Sequence, residues 1–105
     1  MRLRLLQVPG CPGAELLAGR LAELLTAGDE VAVERAVITD EAEAAVHGMT
    51  GSPTLLVDGV DPFAVAGALP SLSCRLYRDE HNRIGNAPSA AQLRRALTGE
   101  DAGDG

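Results

Sequence analysis

The chain has no lysine, and Tyr77 and Phe63 are its only aromatic residues. Its nine basic side chains are all arginine, scattered along a sequence of net charge −6. Without a clustered basic face or an aromatic platform for bases, nucleic acid is excluded as a partner. No apolar run approaches the ~18 residues of a membrane span, and the opening Met1-Arg2-Leu3-Arg4-Leu5-Leu6 has a shorter apolar stretch than the roughly seven residues of a secretory leader. Two cysteines in 105 residues do not make a disulfide scaffold. The expected compartment is therefore the reducing cytoplasm. Two cysteines and two histidines also lack the four-ligand spacing of a structural zinc site, so no metal and no cofactor is expected.

What is present points to one domain. A chain of 105 residues buries about two thirds of the surface its unfolded form exposes, and leucine, valine and alanine must build the core. Residues 1–98 are expected to form the domain, with an acidic, disordered tail at 99–105. Residues 2–8 alternate and then turn apolar, as a strand entering a buried sheet does. From Ala14 to Ala27, Leu16, Leu17, Leu21, Leu24 and Leu25 recur at helical spacing, with Pro12 suited to the first helical position and Gly28 to the C-terminal cap. Residues 31–38 read as a second strand. A short helix follows, capped by Thr39 or Asp40, with Glu43 placed for a capping box and an end near His47-Gly48. A strand at 54–58, an Asp58-Gly59 turn, a long loop to Ser73, a strand at 74–78 and a helix opened by Ser89 and Gln92 complete the order. The pattern β-α-β-α-β-β-α implies an α/β fold with a four-stranded mixed sheet flanked by helices.

Cys11 is the residue that carries chemistry. It stands at a strand-to-helix junction, in Pro9-Gly10-Cys11-Pro12-Gly13, where unpaired N–H groups and the positive end of the helix dipole favour the thiolate. The alternative is a small buried hydrophobe. Cys74, at the start of a strand, reads as a structural cysteine unless the 59–73 loop folds back toward Cys11. If the two sulfurs meet, they form a redox pair or a two-thiolate site for a soft metal ion. His47 suits a helix C-terminus, and His81 is given no role. Asp58 and Asp61 read as turn formers, with proton transfer as the alternative.

Cys11 at the first strand–helix junction, followed by Gly51-Ser52-Pro53-Thr54-Leu55-Leu56-Val57-Asp58-Gly59, resembles the thioredoxin-like superfamily over residues 2–98. The resemblance implies that Cys11 is the nucleophile and that Pro53 is cis and packs beside it. It also implies that Pro12, Ser52 and Pro53 shape the substrate groove, with backbone groups at Pro53 open to an extended substrate segment. The fourth position after the nucleophile is Ala14, so the second thiol of a thioredoxin is missing from that place. Gly10-Cys11-Pro12, Asp61-Pro62-Phe63 and Ser73-Cys74-Arg75-Leu76-Tyr77 further resemble small bacterial thioredoxin-like proteins labelled alkylmercury lyases. Three functions follow as expectations. One is thiol-disulfide exchange by Cys11, resolved by Cys74, a small-molecule thiol or a partner protein. A second is organomercurial cleavage or mercury binding by Cys11 and Cys74, with Asp58 or Asp61 as acid. The third is a non-catalytic binding module.

Overall fold

In a computed structural model that describes residues 1–25 and 31–98, the elements are β1 (Arg2–Gln7), α1 (Pro12–Leu24), β2 (Ala32–Val37), α2 (Glu41–His47), β3 (Thr50–Ser52), β4 (Thr54–Val57), β5 (Ser71–Cys74), β6 (Tyr77–Arg78), β7 (Ile84–Gly85) and α3 (Ala90–Thr98). The expected Gly28 cap and the acidic tail 99–105 lie outside the described residues. The fold is mixed α/β. In the main sheet β1 is central, parallel to β2 and antiparallel to β4, with Leu5 opposite Arg35 on one side and Leu55 on the other.

Strand alternation sends successive side chains to opposite faces, and each face acquires its own core. Leu3, Leu5 and Leu55 meet Leu17 and Leu21 of α1 and Leu93 of α3. Leu6 and Leu56 meet Ile38, Ala44 of α2 and Met49 on the other face. A fully buried leucine contributes about 1.5–3 kcal/mol relative to an exposed one, so these two clusters hold the layers together. Leu16, expected to face the core, is 43% exposed. On β2, an edge strand of the sheet, Val33 and Val37 are also exposed.

Helix ends follow local chemistry. Asp40 caps α2 by accepting the Glu43 N–H at 2.8 Å, while the Glu43 carboxylate accepts the Thr39 N–H at 3.1 Å rather than that of Asp40. Ser89 and Gln92 exchange reciprocal bonds of 3.0 and 3.1 Å at the start of α3, a closed capping box. Helix α1 ends at Leu24, and the Leu25 N–H bonds back to the Leu21 carbonyl. Among the described residues no helix is long and apolar enough to cross a membrane.

Among the described residues the main sheet holds three strands where four were expected. The stretch 74–78, expected as one strand, is divided. Residues Ser71–Cys74 run parallel to β3, with Thr50 opposite Ser71 and Ser52 opposite Cys74, and Tyr77–Arg78 pair with Ile84–Gly85 in a separate hairpin. The break falls at Arg75. Its guanidinium is turned inward, where it must be hydrogen-bonded, and its partners are Thr50 of β3, Thr54 of β4, and Asp61 and Phe63 of the loop after β4.

Candidate functional site

The turn at residues 50–54 organises the site. Gly51 has φ +124, and a Cβ there would lie 2.8 Å from Cβ of Arg75. Only glycine allows the two segments to approach this closely. The Ser52–Pro53 peptide bond is cis. Ser52 and Pro53 are both buried, and the Ser52 hydroxyl accepts the Val8 N–H at 2.9 Å, tying the turn to the end of β1.

Cys11 follows directly. Gly10, at φ +68, reverses the chain out of β1, and Cys11 becomes the N-cap of α1 with extended backbone angles. Its carbonyl accepts the N–H groups of Ala14 and Glu15 at 3.2 and 3.4 Å, and its side chain makes no capping hydrogen bond. Pro12 occupies the first turn and is exposed. The next residue, Gly13, packs so tightly that a Cβ would overlap the Asn86 carbonyl oxygen and lie 3.0 Å from Cδ of Pro53. The head of α1 is thereby set against the Pro53 turn. Cys11 retains 5% of its surface in solvent and is a free thiol.

Cys74 arrives from the other side. As the register partner of Ser52 it stands beside the residue that precedes Pro53, and it is exposed rather than buried as a structural cysteine would be. Cys74 is thus the register partner of Ser52 on β5, while Cys11 heads the helix whose Gly13 packs against Pro53.

Behind the turn lies a polar cluster. Arg75 donates to Asp61 at 2.8 Å, to Thr54 Oγ1 at 3.2 Å, to Thr50 Oγ1 at 3.5 Å and to the Phe63 carbonyl at 2.5 Å. The Arg75 and Asp61 side chains are only 9% and 13% exposed. The guanidinium also lies 4.7 Å from the centroid of the Tyr77 ring, and Phe63 meets that ring edge-on at 5.8 Å. These contacts pin the loop after β4 to the Pro53 turn. The Tyr77 hydroxyl donates to the Pro53 carbonyl. Burial pushes the Tyr77 phenol well above its ordinary range; the Arg75 cation opposes the shift, and negative charge at Asp61 and Cys11 adds to it.

The backbone groups at Pro53 are not open. The Gly51 carbonyl accepts the Thr54 hydroxyl at 2.7 Å, the Ser52 carbonyl accepts the Arg75 N–H at 2.9 Å, and the Pro53 carbonyl is taken by Tyr77. The expectation of a free pairing edge therefore needs correction, because the chain supplies its own partners.

Of the expected acids, Asp61 is committed to Arg75, and Asp58 accepts the Arg2 N–H at 2.8 Å at the far end of β1. Among the described residues no group of three His, Cys, Asp or Glu side chains is placed to hold a metal ion. His47 contacts Arg4 at 3.4 Å, on β1. A groove of about 250 Å³ between α1 and the β6–β7 hairpin is lined by Leu16, Arg20, Asp79, Arg83, Ile84 and Asn86, and neither cysteine borders it.

Arg75, Tyr77 and Asn86 were not singled out by sequence reasoning. A signal existed for the first two: an arginine inside the expected strand 74–78, followed two residues later by the chain's one tyrosine. Comparison with protein-family models, curated proteins and solved structures found no significant match.

Proposed function

We propose that this chain is a thioredoxin-like thiol protein that performs thiol-disulfide exchange through Cys11 in the reducing cytoplasm. The observation that carries the reading is the position of Cys11 as N-cap of a helix whose next turn is packed against Pro53. Cys11 thereby stands at the N-terminal, positive end of the dipole of a thirteen-residue helix, with no capping hydrogen bond from its side chain. Attack on a disulfide places that sulfur in a mixed disulfide and expels a thiolate, and a second thiol then releases the product. Cys74, on the neighbouring strand, or an external thiol supplies this second sulfur.

The organomercurial reading needs an acid able to protonate carbon beside two thiolates. Asp61 is held by a buried cation and Asp58 lies at the opposite end of β1, so exchange is the better-supported chemistry. The test is mass spectrometry of the reduced protein after mixing with a disulfide. Cys11→Ser abolishes the adduct that forms fastest, while Cys74→Ser leaves that first adduct intact and slows its resolution. Undiminished exchange in Cys11→Ser would overturn the assignment to Cys11 and move the reacting thiol to Cys74, and absence of exchange in the unsubstituted protein would leave only a binding module.

A further inference from the structure

The backbone around Pro53 also bears on what Cys11 reacts with. Recognition of an extended polypeptide by strand addition draws its affinity from main-chain hydrogen bonds along an open edge. Here the carbonyls of Gly51, Ser52 and Pro53 are filled by Thr54, Arg75 and Tyr77 of the same chain. The parallel strand β5 lies along β3 itself, its Ser71 N–H bonded to the Met49 carbonyl at 3.1 Å. This closure is not loose, because Arg75 is anchored by Asp61, two threonine hydroxyls and the Phe63 carbonyl. Independently, Cys11 is only 5% exposed. A disulfide carried on a polypeptide would bring bulk that a nearly covered sulfur cannot accommodate without opening the fold.

Resting on the exchange reading above, we infer that the substrate of Cys11 is a low-molecular-weight disulfide and not an extended polypeptide, the β5 strap occupying the edge a polypeptide would need. In the step, the Cys11 thiolate attacks one sulfur of RSSR, forming Cys11–S–S–R. The second sulfur leaves as RS⁻ and takes up the proton released by the Cys11 thiol. One sulfur–sulfur bond breaks and one forms, so no further oxidant is required.

The experiment uses the full chain carrying Cys74→Ser and follows adduct formation at Cys11 with two probes: bis(2-hydroxyethyl) disulfide and an unstructured peptide of about fifteen residues with a mixed disulfide to 2-mercaptoethanol. The same two reactions on a short peptide containing Gly-Cys-Pro give the intrinsic ratio of rates. Relative to that reference, the folded protein is expected to favour the small disulfide at least tenfold, equivalent to about 1.4 kcal/mol. If the long peptide reacts as fast as the reference ratio predicts, or faster, the inference is overturned while exchange by Cys11 stands. If Cys11 reacts with neither probe, the exchange reading itself falls and takes the inference with it. Arg75→Met, which loosens the strap, should raise the rate with the long peptide more than the rate with the small disulfide. Equal effects on both probes would count against the strap as the cause.

Discussion

The docking of α1 against Pro53 and Asn86 can be tested with two glycines of the same helix. Gly13 and Gly19 both lie within α1, and replacing a helical glycine by alanine gains about 0.5–1 kcal/mol from backbone entropy alone. At Gly19 nothing stands within 4 Å of the new Cβ, so Gly19→Ala should realise that gain. At Gly13 the methyl group overlaps the Asn86 carbonyl and meets Pro53 at 3.0 Å. The first obstacle is backbone, which no rotamer change relieves, and overpacking of this kind costs about 1–3 kcal/mol. The net expectation for Gly13→Ala is a loss of up to about 2 kcal/mol, and the two variants should differ by the packing cost alone, about 1–3 kcal/mol. Urea unfolding monitored by circular dichroism measures this as a change of midpoint at constant slope. In a thermal melt the same difference separates the variants by about 4 °C or more. Because the strain falls between the head of α1 and Pro53, Gly13→Ala should also alkylate faster at Cys11, with Cys74 unaffected. Equal stabilisation by both substitutions would refute the packing on which the site rests.

Removing one partner of a desolvated ion pair costs about 3–5 kcal/mol. Arg75 keeps three oxygen partners in Asp61→Asn, so a loss nearer 2–3 kcal/mol is expected in urea unfolding. A loss below about 0.5 kcal/mol would show that the pair is solvated. Tyr77 is the one tyrosine and there is no tryptophan, so phenolate absorbance reports it alone. Its pKa is raised by burial, hence its contribution to stability is complete below the unfolded value of about 10 and is lost above it. The native protein should show no phenolate near pH 10 until it unfolds, and a smooth titration there would contradict the burial. Asp79 is held below its ordinary carboxylate value chiefly by the Arg83 N–H, with that of His81 adding to the effect. Its contribution to the β6–β7 hairpin is therefore present above about pH 4 and lost as the pH falls below it. Protection of the His81 and Arg83 amides, relative to their intrinsic exchange rates, should fall in that acid range, and Asp79→Asn should remove this dependence of protection on pH.

Much of the layered core was legible because it follows from spacing alone. Leu3, Leu5 and Leu6 are buried as a period-two strand requires, Leu17 and Leu21 as a period-3.6 helix requires, and Asp40 and Ser89 cap helices because their side chains satisfy first-turn N–H groups. The placement of Cys11 at a helix start was readable for the same local reason, since Gly10 and Pro12 punctuate the chain around it. The second half of the site was not readable. Period-two reasoning assumes that the buried side of a strand is apolar, and on that assumption Arg75 belongs outside. What reverses it is Asp61, fourteen residues earlier in a loop with no periodicity of its own, which neutralises the guanidinium and draws it beneath the Pro53 turn. Once Arg75 is inside, alternation turns Cys74 and Leu76 outward, and Tyr77 inward to the Pro53 carbonyl. The exposed second thiol, the filled Ser52 carbonyl and the division of the 74–78 stretch all fall within a few residues of that ion pair. The Asp61→Asn variant should therefore alter the reactivity of Cys74 as well as the stability of the fold.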